Sequence, residues 1–456
     1  MPKKTSLAIL FFAAILFGLQ FAPARLKAVK VDRYDVSRVV EFRPRNLPVP
    51  AEARVLPARM PRTANISPQG AMDMGGLVDP SGALTTFYQA LWRTESKAPG
   101  AITRVLHYGD SPTTADSITA DARALMQQQF GDAGHGFVLI AKPWAWYGHR
   151  GVELNGHGWR IEPASQSRAR DGVHGLGGVS FSGGTSASST IELPDDRHTR
   201  MQVYFEQQPG GGVFALSADG AVFAELPTAS DTTTPGFASI ALPANTRRVT
   251  LAVKSGNVRL FGWSFEKPGP GVIYNSLGLN GAAVQMLLRY FEPKQWAASL
   301  QHEDPDLIVL NYGTNESVFP DYIERYYEKE LRSLIERVRA SAPRASILIM
   351  SPMDRGVRSS GGDIVTPDVL PRIVEIQSKV AVETHCAFFN TFEAMGGAGT
   401  MAKWYASQPR LVSADFMHPL PGGAAIVGRL LKTALADGYD RFKRNSVQAR
   451  RNGPDL

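Results

Sequence analysis

Among 456 residues there is one cysteine, Cys386. No intramolecular disulfide is possible, so stability must come from a packed core. Cys386 stands just before the apolar pair Phe388-Phe389, a setting that argues for burial and against catalysis. Charge is also modest: 20% of residues are charged against 43% hydrophobic, which excludes the polar balance of a disordered chain. After Phe21 no further apolar run reaches spanning length, which excludes a protein with several transmembrane helices. His135, His149 and His157 lack the i, i+4 spacing and the cysteine partners that mark a zinc site, so neither metal nor cofactor is expected.

What is present begins with a targeting pattern. Lys3 and Lys4 precede an uncharged apolar run from Leu7 to Phe21, closed by Ala22-Pro23-Ala24. This predicts a signal peptide over 1–24, cleaved after Ala24. The alternative is an uncleaved inner-membrane anchor, for which the run falls short of the ~20 residues a bilayer requires. Either places the remainder in the periplasm or another extracytoplasmic space. Two of these lysines belong to the net charge of +7, leaving +5 beyond residue 24. Residues 25–78 carry Pro44, Pro48, Pro50, Pro57, Pro61 and Pro68 among arginines, the composition of a linker. Arg441, Lys443, Arg444, Arg450 and Arg451 make residues 441–456 a basic tail, read as a solvated segment or as attraction to an anionic envelope polymer. Nucleic acid is not an expected partner.

The body reads as α/β. Asp79-Pro80 is expected to cap a helix presenting Leu84, Phe87, Tyr88 and Leu91. Short apolar runs at 103–107, 272–275, 307–310, 347–350 and 387–389 have the character of buried parallel strands. Between them, Ile323, Tyr327, Leu331, Leu334, Ile335 and Val338 recur at helical spacing over 321–340, as a crossover helix requires. The prediction is a doubly wound, three-layer α/β sandwich built from residues 79–150 and 270–440. Residues 151–269 differ in character: glycine, serine and threonine abound, and alternating runs such as 201–206, 213–217 and 249–253 are divided by turn clusters. They predict an inserted all-β sandwich.

Four short segments carry the chemistry. The first strand runs into Gly109-Asp110-Ser111-Pro112, placing Ser111 at a strand-to-helix turn, where the ends of strands in open α/β sheets bind ligands. By itself Gly-Asp-Ser more often marks a helix cap, with Pro112 at the first helical position. Leu277-Gly278-Leu279-Asn280-Gly281-Ala282, Asn311-Tyr312-Gly313-Thr314-Asn315-Glu316 and Asp415-Phe416-Met417-His418-Pro419 follow. In this order the four resemble the blocks of the SGNH, or GDSL-like, hydrolases, over about Val105 to Leu431 with the insertion excised. The resemblance implies the flavodoxin-like SGNH fold, Ser111 as nucleophile, Asp415 and His418 as its relay, and an oxyanion hole from Ser111, Gly281 and Asn315. Such a set suits acyl transfer, because serine becomes a nucleophile only when a base removes its proton.

Phe130-Gly131-Asp132-Ala133-Gly134-His135-Gly136-Phe137, the β-rich insertion and Met395-Gly396-Gly397 resemble exported bacterial peptidoglycan O-acetylesterases, whose insertion resembles a carbohydrate-binding module. Pro112 departs from that pattern, in which histidine or leucine is common. The resemblance implies a serine esterase acting on an acetylated wall or envelope polysaccharide. A polysaccharide O-acetyltransferase using the same acetyl-serine, and a wall-binding protein with a vestigial hydrolase domain, are the alternatives. Lys142-Pro143-Trp144-Ala145-Trp146-Tyr147 could stack on sugars or pack between the two parts.

Overall fold

The computed structural model describes residues 76–452 apart from 166–168 and 170; the expected signal segment and most of the expected linker lie outside the described residues. The central sheet has the strand order Leu77–Val78, Ala387–Phe389, Ser346–Met350, Leu307–Asn311, Ile102–Gly109, Gly271–Gly278. All neighbours are parallel except the two-residue edge strand Leu77–Val78, which runs antiparallel to Ala387–Phe389. Taken in chain order, the parallel strands lie 2-1-3-4-5, so the topology reverses between the first and third. That is where an open α/β sheet receives its ligand.

Alternation along the strands explains the three layers, since successive side chains point to opposite faces. Val105, Leu307 and Val309 join one core with Phe87, Ile118, Met126 and Leu431. Leu106, Ile308 and Leu310 join the other, with Leu331, Leu334, Val338 and Val374. The first face is covered by the helices Thr85–Glu95, Ser117–Phe130 and Pro421–Asn452, the second by Val284–Arg289, Pro293–Glu303, Glu328–Ser341 and Val369–Glu383.

The β-rich part consists of two antiparallel sheets. One has the order Ala221–Pro227, Val213–Ala218, Arg248–Ser255, Ser188–Glu192, Glu153–His157; the other Thr234–Ala241, Arg200–Gln207, Val258–Glu266, Val179–Gly183, Arg160–Pro163. Gly134–Val138, expected on the catalytic side of the boundary, pairs with Val258–Glu266 and extends the second sheet. Its core is continuous with one face of the central sheet.

Three expectations shift. The first helix begins at Thr85, not at Pro80; Asp79 accepts from the backbone N–H groups of Ala83 and Leu84 and so closes the turn ahead of it. The crossover helix over 321–340 is interrupted by a π turn at Ile323–Tyr327 before Glu328–Ser341. The start of the expected basic tail continues the last helix to Asn452, and Tyr439 and Lys443 there both hold Glu95. Among the described residues no helix is long and apolar enough to cross a membrane.

Candidate active site

The carboxyl ends of three strands come level, because Gly109 stands opposite both Gly278 and Asn311. Each is followed by one of the segments singled out in the sequence. After Gly109 the chain turns through Asp110 into the one-turn helix Ser111–Thr114, with Pro112 inside its first turn. That helix lies directly on the neighbouring strand: a Cβ at Gly278 would stand 2.0 Å from the Thr114 backbone nitrogen. Only glycine permits this approach. Ser276 Oγ then donates to Thr113 O at 2.8 Å, tying the turn down.

Behind it, buried Asp116 adopts φ +51° and pairs with Arg123 at 2.5 Å. Burial alone would raise the Asp116 carboxyl; the Arg123 charge and hydrogen bonds outweigh it and hold the group well below the usual carboxylate range.

Ser111 and His418 are 307 positions apart, yet Ser111 Oγ is 2.7 Å from His418 Nε2. His418 Nδ1 is 2.6 Å from Asp415 Oδ2. With Nδ1–H donated to the carboxylate, Nε2 is left to accept from the serine hydroxyl. The Asp415 to His418 turn is shaped by its own acid: Asp415 Oδ1 accepts from the backbone N–H groups of Met417 at 2.9 Å and His418 at 3.1 Å, and Ser413 Oγ donates to it as well. The hydrogen bond to Asp415 raises the His418 imidazole above its ordinary value, against burial. Burial pushes Asp415 up, but hydrogen bonds from His418 and Ser413 prevail and keep it ionised far into acid. The pair is open to solvent, with 43% of the His418 side chain and 49% of the Asp415 side chain exposed.

Gly281 lies exposed in the turn after the second strand at φ +70°. That left-handed conformation is costly for any residue bearing a Cβ. Asn315 follows the third strand, and its Nδ2 donates to Ala282 O at 2.8 Å, leaving the second amide hydrogen for another acceptor. The structure therefore joins Ser111, His418 and Asp415 in one hydrogen-bonded chain, and links the loops bearing Gly281 and Asn315.

Sequence reasoning missed two buried carboxyls. Glu316 is 2% exposed, and its two oxygens accept from Val284 N at 2.8 Å and Gly313 N at 3.0 Å, so one side chain crosslinks both loops. Burial pushes it up to about 7. The signal was present as an acid following Asn315 at a strand end. Asp110 is 4% exposed and is pushed up to about 6 by burial, opposed by a hydrogen bond from Thr314 and by the His418 charge. Of the three histidines considered for metal, His135 and His149 lie together, buried, with Nε2 and Nδ1 3.2 Å apart, while His157 is exposed on another strand.

Residues 255–426 match the model of the GDSL-like Lipase/Acylhydrolase family. Over these residues the chain is similar to GDSL-like lipases and acylhydrolases. The match contains Gly281, Asn315, Asp415 and His418 but begins at the end of the sandwich strand Arg248–Ser255; Ser111 precedes that sandwich in the chain. A solved structure of a peptidoglycan O-acetylesterase is similar over 80% of this chain and 99% of that one, at 23% identity and a TM-score of 0.69. The hydrolase fold and its added antiparallel sheets are thus shared across nearly the whole of that protein. More distant are a family two carbohydrate esterase from Clostridium thermocellum (14% identity, 62% of this chain, 98% of that one, TM-score 0.27) and an acetyl xylan esterase (16%, 36%, 80%, 0.27). No curated protein sequence matches the chain.

Proposed function

We propose that this chain is an exported serine O-acetylesterase that removes acetyl groups from an envelope polysaccharide, with peptidoglycan as the substrate. The observation that carries the reading is the continuous relay from Ser111 through His418 to Asp415, at 2.7 and 2.6 Å, at the topological switch point of a hydrolase sheet. Its openness supports a polymeric substrate, since a sugar chain can reach Ser111 without threading a tunnel. The fold shared with a peptidoglycan O-acetylesterase supports the same class of ester.

The steps follow from the residues. Ser111 Oγ attacks the acetyl carbonyl carbon while its proton passes to His418 Nε2, and Asp415 stabilises the imidazolium. The carbonyl oxygen, now an anion, is met by the Ser111 and Gly281 backbone N–H groups and the second Asn315 amide hydrogen. The tetrahedral centre collapses, the C–O bond to the sugar breaks, and His418 returns its proton to the departing sugar oxygen. Water then repeats the sequence on acetyl-Ser111, giving up a proton to His418 and releasing acetate and the free serine.

The test is acetate release from O-acetylated peptidoglycan by the full chain beside its Ser111→Ala variant. Release that is lost with Ser111 supports the reading. Faster discharge of the acetyl group to added glycan than to water contradicts it in favour of transfer. No release from peptidoglycan, with small acetates still cleaved through Ser111, contradicts the substrate and retains the nucleophile.

A further inference from the structure

The aromatic segment beside the catalytic turn is split in its exposure. Trp144 and Tyr147 are buried at 8% and 5%, whereas Trp146 between them is 54% exposed. Of the three rings only Trp146 faces solvent, beside the exposed Ala145.

Its position is fixed from two sides. Trp146 Nε1 donates to Asn280 Oδ1 at 3.3 Å, and Asn280 is the residue before Gly281. On the other side, Gly148 N donates to Thr114 O at 3.4 Å and Arg150 N to Asp116 Oδ2 at 2.8 Å, so the loop is anchored to the end of the one-turn helix Ser111–Thr114 and to the turn that follows it. The indole is therefore held at the rim between the nucleophile turn and the oxyanion loop, with its polar N–H occupied and much of its apolar surface open.

We infer that Trp146 is a sugar-binding platform of the active site, on which the pyranose ring carrying the acetyl group, or its neighbour in the glycan, stacks its C–H face. A flat ring meets the apolar face of a pyranose without requiring a particular hydroxyl pattern, and an aromatic with two χ angles loses little conformational freedom in doing so. Holding the sugar beside Gly281 presents its acetyl carbonyl to Ser111, so the platform positions substrate and takes no part in proton transfer. This rests on the glycan substrate proposed above.

The test compares the full chain with Trp146→Ala and Trp146→Phe on two esters, an O-acetylated peptidoglycan oligosaccharide and ethyl acetate, with thermal unfolding confirming that both variants fold. The expected result is a fall of about tenfold in the ratio of kcat/KM for the oligosaccharide to that for ethyl acetate in Trp146→Ala, carried by KM. Trp146→Phe, which keeps a ring but lacks the N–H, retains most of the ratio. An unchanged ratio in Trp146→Ala overturns the platform and leaves the esterase reading intact. Equal loss on both esters in both variants also overturns it, since the side chain would then act through Asn280 on the oxyanion loop. If the unmodified chain cleaves ethyl acetate but not the oligosaccharide, the glycan reading fails first and the platform with it.

Discussion

Replacing Glu316 with glutamine separates the stability of this site from its activity. The carboxyl is buried and raised from 4.5 to about 7, so the folded state favours the protonated form. A folded-state value above the unfolded one gives a stabilising contribution that is complete below about pH 4.5 and lost as pH rises through about 7. At roughly 1.4 kcal/mol for each tenfold change in the proton equilibrium, the loss across that window is about 3 kcal/mol. Glutamine does not titrate, so the stability difference between Glu316→Gln and the parent should move by about 3 kcal/mol in favour of the variant between pH 4.5 and 8. Part of any gain at pH 8 is offset, because the amide accepts from only one of Val284 N and Gly313 N and leaves the other buried donor unpaired, at about 1–3 kcal/mol. Activity moves the other way. With one tether between the loops of Gly281 and Asn315 lost, kcat should fall by roughly 10- to 100-fold with little change in KM, below the 10²–10³ expected for outright loss of an oxyanion donor. Urea unfolding and ester hydrolysis at pH 5 and 8 measure both. Parallel stability profiles, or full kcat in the variant, refute the reasoning.

Further consequences concern the relay and the turn beneath it. The Asp415 hydrogen bond raises His418, and the base must be neutral to accept a proton, so kcat/KM should climb with pH through a midpoint above 6.5. In Asp415→Asn that midpoint should move to lower pH while the plateau falls by roughly 10²–10⁴; an unmoved midpoint in the pH–rate profile contradicts the pairing. Gly278→Ala would drive a methyl group into the Thr114 backbone and should lower stability by about 2–4 kcal/mol, measured by urea unfolding, with the Ser111 turn displaced and turnover reduced. Undisturbed unfolding would show that this contact is not tight.

Much of the site was legible because its chemistry is local. Gly109 to Pro112, Asn280 to Ala282, Gly313 to Glu316 and Asp415 to His418 each sit immediately after or beside an element whose apolar pattern is plain, and in three of them the strand end fixes where the next residues go. The parallel strands were legible for the same reason: Leu307 to Leu310 is apolar at every position because both faces are covered. Where reading fell short, the deciding contact was long range. Nothing near Gly134–Val138 reveals that its partner is Val258–Glu266, so the β-rich part was begun too late. Asp79-Pro80 has the composition of a helix start, but Asp79 closes a preceding turn. Trp144, Trp146 and Tyr147 are alike in sequence, and only the packed loop shows which ring faces solvent. Glu316 looked like an ordinary acid after a strand; its role depends on a backbone N–H 32 positions away.

The most direct test of the central claim is to quench the full chain with acid during turnover of O-acetylated peptidoglycan and map the acetyl group by peptide mass. The account predicts an acetyl adduct on Ser111 that forms before steady state and is greatly diminished in His418→Ala, which lacks the base for acylation. Continued acetate release by Ser111→Ala, or an adduct on any other residue, would contradict it.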